Sequence, residues 1–266
     1  MKSQNRLTTP SGASAASPGA GSDDDLVIVA KNVTKKFVLR HTRSMKEAFV
    51  WLVKGRRGDL SERFKALDDV SFDVRQGESV ALLGLNGSGK STLLKLISGV
   101  MRPDEGDVAT RGRVAGLIEV GAGFHPDLTG RDNVYLNGAI LGMTQQEIED
   151  KFDDIVAFSE IEQFIDTEVK FYSSGMYLRL AFAVAIHTTP DVFLVDEILA
   201  VGDEPFQKKC MERISEMVDQ GRTLVVVSHE LDKVAQLCDR GILLEHGRKV
   251  LDGPVENAIK RLRGED

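Results

Sequence analysis

The strongest chemical signal lies at residues 84–92, GLNGSGKST, which fits the pattern GxxxxGK[ST] on Gly84, Gly89, Lys90 and Ser91. Glycines at these places let backbone N–H groups turn inward, so the loop of Gly84, Leu85, Asn86, Gly87, Ser88 and Gly89 is expected to wrap a polyphosphate. Lys90 is then expected on the β and γ phosphates, with Ser91, followed by Thr92, offering a hydroxyl to magnesium. The apolar run SVALL precedes the loop and the helically spaced LLKLISG follows it. Strand, glycine loop and helix is the context such a motif needs, because the helix points its positive end at the same anion.

A second constellation is DVFLVDE at residues 191–197, an apolar strand delivering Asp196 and Glu197 at its C-terminal end. Open α/β sheets place their ligands at that end. Two adjacent carboxylates there are costly unless a cation or a proton transfer needs them, so Asp196 is assigned to the magnesium shell and Glu197 to polarising an attacking water. TLVVVSHE repeats the geometry with His229, which is either structural or a contact to the γ phosphate. Residue chemistry alone reaches a magnesium-dependent NTPase.

These residues need a sheet to hold them. Short β-branched runs alternate with helical stretches from Leu26 onward, which implies parallel pairing and an α/β class, a P-loop NTPase core. DVFLVD, TLVVVSH and GILLEHG read as strands buried on both faces. Between them, residues 119–188 have helical periodicity and are expected to form an inserted helical subdomain. Residues 1–25 are Ser, Ala, Gly and Pro with few large apolar side chains, so a disordered tail is expected before a nucleotide domain at 26–266.

Composition excludes several classes. The 266 residues are 42% hydrophobic, and 34 Lys and Arg stand against 41 Asp and Glu, a net charge of −7. A chain-wide basic surface for nucleic acid is therefore not expected. No stretch reaches the roughly 18 uninterrupted apolar residues of a membrane span. Cys210 and Cys238 have no CxxC spacing and fit a reduced, cytosolic protein without cysteine-held metal.

FYSSGMYLRLAFAVA, residues 171–185, resembles the signature motif of ATP-binding-cassette proteins, LSGGQxxR, and precedes the DE strand as in that family. Ser173, Gly175 and Arg179 match, whereas Tyr172, Ser174 and Met176 depart from the common form. The resemblance implies a cassette fold with an added antiparallel β subdomain. It also implies a homodimer that sandwiches two ATPs, with Ser173, Ser174 and Gly175 acting on the nucleotide of the opposite subunit. Asp203 falls on the family's D-loop aspartate, His229 on its switch histidine, and Phe37 on the aromatic that stacks on adenine. Read as a residue alone, Phe37 is equally a core phenylalanine at a strand end. Glu119 stands where the family has its Q-loop glutamine, one residue further from Pro126 than usual, and is a candidate to meet magnesium or a water.

The block LIEVGAGFHPDLTGRDNVYLNGAILG, together with YSSGMYLRLAFA and DEILAVGDEPFQKKC, is similar to ATPase subunits of bacterial polysaccharide exporters of the O-antigen, teichoic-acid and lipid-linked galactan type. That resemblance runs from Leu26 to Ile259 and implies ATP and Mg2+ as cofactors. It further implies a polytopic transmembrane permease, in two copies, a lipid-linked polysaccharide as cargo, and a place on the cytoplasmic face of the membrane. A soluble cassette ATPase without a membrane partner, a nucleotide switch that hydrolyses little, and an importer subunit are the alternatives.

Phe37 and Gly84 are 47 residues apart, about twice the spacing of compact members, so an insertion is expected at 38–66. It holds eight basic and three acidic residues, and Met45, Phe49, Leu52 and Val53 form an apolar stripe at helical spacing. It is expected either to face the membrane partner and its anionic surface or to pack as a short helix on its own domain. Only 37 residues follow His229, against roughly 100 for a β-sandwich, so no appended carbohydrate-binding sandwich is expected.

Overall fold

The computed structural model describes residues 25–39, 62–116, 123–196 and 203–265. Among the described residues nine strands form two sheets. The smaller is antiparallel, in the order β2 (Glu62–Arg75), β1 (Leu26–Leu39), β4 (Glu105–Thr110). The larger runs β5 (Val114–Gly116), β6 (Val192–Asp196), β7 (Thr223–Val227), β3 (Ser79–Leu83), β8 (Arg240–Glu245), β9 (Arg248–Pro254). Its first five strands are parallel and β9 closes the far edge antiparallel to β8.

Of the strands expected to be buried on both faces, β7 is buried at every residue, β6 at four of five and β8 at four of six; β3 is buried at every residue as well. Alternate side chains feed two cores, as the two-residue period of a strand requires. Ala81, Leu83, Phe193, Val195, Leu224 and Val226 face one core with helices α5 (Glu204–Asp219), α6 (Leu231–Leu237) and α7 (Val255–Arg263). Val80, Leu82, Val192, Leu194, Val225 and Val227 face the antiparallel sheet and α1 (Lys90–Ile97). The small sheet thereby packs over the helix that follows the glycine loop.

Between β5 and β6 lie α2 (Gly130–Ile140), α3 (Gln145–Ser159) and α4 (Ser174–Ile186). Thr129 with Asp132, and Thr144 with Glu147, form capping boxes that start α2 and α3, and Ser173 caps α4. A third core joins these helices through Val134, Ile148, Ile155, Leu180, Ala183 and Val184. From Leu180 onward α4 is buried all round, because Phe182, Ala185 and Ile186 belong to the main core while Leu180, Ala183 and Val184 belong to this one. One helix is thus rooted in both bodies.

β1 and β2 pair as far as Leu39 opposite Glu62, so the ends of the segment read as an insertion belong to a long hairpin. Residues 40–61, the apolar stripe included, lie outside the described residues, as do the 1–24 leader, Glu119 and Glu197. Among the described residues no helix is long and apolar enough to cross a membrane. Cys210 and Cys238 are free and buried, and burial pushes each thiol up to about 12, which keeps them protonated at neutral pH.

Candidate nucleotide site

β3, β7 and β6 are neighbours, and their C-terminal ends carry the glycine loop, Ser228 with His229, and Asp196. Register places Ala81 beside Val226 and Asp196 beside Val227, so the three motifs emerge on one sheet edge at nearly one level. This is where a parallel sheet binds ligands.

The loop requires glycine where the chain approaches other backbone. Gly84 has φ 146°, and a Cβ there would sit 2.3 Å from the Leu244 carbonyl oxygen on β8. Gly89 has φ 107°, and a Cβ would lie 2.5 Å from the Ala66 carbonyl oxygen on β2. The loop is held between β8 and the hairpin, and Gly247 N–H fastens it by donating to the Ser88 carbonyl at 3.1 Å. Lys90 is buried, and its Nζ donates to the carbonyl oxygens of Gly84 at 2.7 Å and Leu85 at 3.2 Å. A buried ammonium at the mouth of a glycine loop is a fixed counter-charge for phosphate oxygens.

The donor set fits a polyphosphate with magnesium. Ser88 Oγ is buried without a hydrogen-bond partner among the described residues. Among the described residues no side chain caps α1, whose first N–H groups have no acceptor inside the helix. Ser91 is exposed at the loop's end and Asp196 stands at the end of β6, beyond β7 in the sheet, a hydroxyl and a carboxylate of the hard-oxygen kind magnesium takes.

Beside the loop is a cavity of about 250 Å³ lined by Asn86, Gly87, Lys90 and Ser91 and walled by Phe37 and Phe64. Phe37 is an exposed ring, 36% accessible, at the cavity wall and outside the three cores. Phe64 is its direct cross-strand partner and 46% exposed. Opposed residues of an antiparallel pair project from the same face, so the two rings stand together. Sequence reading missed Phe64; its only local signal is a bulky aromatic in the charged run ERFK.

A larger cleft, about 530 Å³, lies between α3, the end of α4 and α5. Its lysines are already engaged: Lys151 donates to the His187 carbonyl and Thr189 Oγ1, and Lys209 to the Phe158 carbonyl and Glu160.

Ser173, Ser174 and Gly175 open α4 away from that cavity. Ser173 Oγ accepts from Met176 N–H at 3.2 Å, and among the described residues a Cβ at Gly175 would have only Ser173 Oγ, 3.8 Å away, near it, so none of them obstructs the helix start. Four residues beyond Gly175, Arg179 donates to Glu160 at 2.8 Å and Asp203 at 2.7 Å while its guanidinium lies 4.8 Å from the Phe206 ring centroid. Asp203 also accepts from Phe206 N–H and caps α5. Burial alone would raise its pKa, but the Arg179 hydrogen bond and charge outweigh this and hold it below the usual value. His229 is exposed at the end of β7, and Ser228 Oγ accepts from Glu230 N–H at 3.0 Å to shape that turn.

Known proteins bear on this arrangement. Residues 67–200 match the model of the ABC transporter family, about half of the chain. The ABC transporter protein AbcA of Aeromonas salmonicida is 48% identical over 227 residues, covering 85% of this chain and 72% of that protein. The O-antigen export system ATP-binding protein RfbB of Klebsiella pneumoniae is 43% identical over 243 residues, covering 88% of this chain and 96% of that protein. The teichoic acids export ATP-binding protein TagH of Listeria innocua is 41% identical, with 84% and 65% covered. Among solved structures, the ATP-binding subunit of an ABC transporter shares the fold with a TM-score of 0.70 at 24% identity, over 90% of this chain and 94% of that one. On sequence and fold together, the chain belongs to the ABC transporter family and is one of its ATP-binding ATPases.

Proposed function

We propose that two copies of this chain clamp two ATP molecules between them and use their hydrolysis to drive a separate transmembrane permease, present in two copies, that exports a lipid-linked polysaccharide. The observation that carries the nucleotide half is the buried Lys90 ammonium held on the Gly84 and Leu85 carbonyls at the mouth of the glycine loop. Support for the export half comes from the relative named for O-antigen export, which this chain matches over 96% of that protein's length.

In one subunit the loop from Gly84 to Gly89 cradles the phosphates, Lys90 neutralises their charge, and the Phe37 ring takes the base. Ser91 and Asp196 would hold magnesium, with Glu119 as a further ligand. When bound, the ion would neutralise charge on the phosphate oxygens. Glu197, next in sequence to Asp196, takes the proton of the attacking water, and His229 contacts the terminal phosphate. Ser173, Ser174 and Gly175 present the open start of α4 to the nucleotide of the opposite subunit, with Asp203 beside them. The insertion at 38–66 then faces the anionic side of the membrane, and the assembly sits on the cytoplasmic face.

General-base catalysis is typically worth about 10²–10⁴ in rate. Glu197→Gln should therefore cut turnover of the purified protein by about that factor while ATP still binds. Near-normal turnover would overturn the assignment. Deleting the gene should leave the surface glycan inside the cell, and an unchanged surface glycan would overturn the export half.

A further inference from the structure

Tyr172, a departure from the family's usual signature, has a specific seat. Its hydroxyl donates to the Phe164 carbonyl at 2.7 Å and rests against Gly130, the first residue of α2. A Cβ at Gly130 would lie 2.1 Å from that hydroxyl and 3.0 Å from the Ile165 carbonyl oxygen. Gly130 is helical and has no positive φ, so space rather than backbone conformation demands glycine here. Forty-two residues apart in sequence, the two positions fit each other.

Around this seat two segments are stitched into one body. Val169 N–H donates to the Leu128 carbonyl at 2.9 Å and Lys170 N–H to that of Pro126 at 2.9 Å. Gly130 and Arg131 N–H donate back to the Thr167 and Ile165 carbonyls at 3.1 and 2.8 Å. Ion pairs Arg131–Asp166 and Lys170–Asp127 flank them. Asn133, fully buried, ties down the 125–129 turn by donating to the carbonyls of His125, Leu128 and Thr129. One segment is the turn that follows the Glu119 region. The other ends at Tyr172, directly before Ser173, the cap of α4.

We infer that Tyr172 is a positioning residue whose hydroxyl, seated on Gly130, sets the Ser173–Gly175 helix start for engagement of the opposite subunit's nucleotide. This rests on the dimer reading above. The bond to Phe164 fixes the ring, the missing side chain at Gly130 admits it, and the next residue is the cap. A displaced ring therefore displaces the α4 start while leaving Lys90 and its loop, on another sheet edge, in place.

The test uses the full-length chain carrying Glu197→Gln, and reads the ATP concentration at which half the protein is dimeric by analytical ultracentrifugation. ATP affinity of the monomer and melting temperature are measured alongside. Tyr172→Phe removes one hydrogen bond and should raise the half-dimer concentration about three- to ten-fold, with ATP affinity of the monomer unchanged. Gly130→Ala should raise it at least about ten-fold, because its methyl meets the hydroxyl. Combining them should recover part of the loss caused by Gly130→Ala, since the phenylalanine removes the 2.1 Å contact with the hydroxyl, although the ring carbon at 3.1 Å and the Ile165 carbonyl oxygen at 3.0 Å still crowd the methyl. A merely structural role would lower melting temperatures without moving the dimerisation curve. Wild-type dimerisation of Tyr172→Phe, or a double variant no better than Gly130→Ala alone, would overturn the inference. A Glu197→Gln parent that never dimerises would overturn the dimer reading itself, and the role of Tyr172 with it.

Discussion

Arg179→Lys and Arg179→Ala probe the contact that joins α4 to the start of α5. The side chain is 19% exposed, whereas its partners Glu160 and Asp203 are 48% and 59% exposed. Solvent and salt screen contacts to carboxylates of that exposure, so these ion pairs contribute little to stability. The guanidinium against the buried Phe206 ring is worth about 1 kcal/mol, and the packed stem about as much again. Alanine should therefore destabilise the fold by about 2 kcal/mol. For a chain of this size that lowers Tm by about 4–8 °C. Lysine keeps the stem but loses the planar stack and the fork that reaches two carboxylates at once, so it should cost about half as much. Thermal melts at 0.1 and 1 M NaCl check this: most of the difference should survive high salt, because stacking rather than surface charge supplies it. Turnover should fall in both variants, since Asp203 loses the contact that orients it. Arg179→Lys with wild-type Tm and turnover would refute the reasoning, and so would a difference that vanishes in salt.

Lys90→Ala removes the charge held in the glycine loop and should weaken ATP binding at least about ten-fold, read by calorimetry. Gly84→Ala places a Cβ 2.3 Å from the Leu244 carbonyl oxygen at φ 146°, and should both destabilise the chain by about 2 kcal/mol or more and abolish nucleotide-dependent stabilisation in a melt. Phe64→Ala should weaken ATP binding about as much as Phe37→Ala, each by a few-fold, and the double variant by more than either, because both rings wall the cavity. Glu147 is held down to about 2 by the Thr144 backbone N–H and by Arg113. Its contribution to stability is complete above the ordinary value of 4.5 and is lost as pH falls from there towards 2. Glu147→Gln should flatten that part of the urea midpoint against pH.

What the sequence made legible is what short stretches of chain dictate. The glycines at 84 and 89 are written by local backbone demands, and the strand-end carboxylate of DVFLVD is equally local. The sheet was legible because β3, β6 and β7 are continuous apolar runs. The polar edge strand β4, EGDVAT, carries no such pattern, being exposed at five of its six positions. Phe64 escaped because its meaning comes from pairing with Phe37 across a hairpin, and Tyr172 because its partner Gly130 lies two helices back. The fork of Arg179 is of the same kind: Glu160 and Asp203 come to it from separate elements, through packing that no local period encodes.

The central claim is that nucleotide is held where two copies meet. Sedimentation velocity of the full-length Glu197→Gln protein, with and without saturating ATP, addresses it most directly. The account predicts a monomer without nucleotide and a dimer of twice the mass with ATP, returned to monomer when Ser173 and Gly175 are replaced by bulky residues. A protein that binds ATP tightly and stays monomeric at every concentration would contradict it.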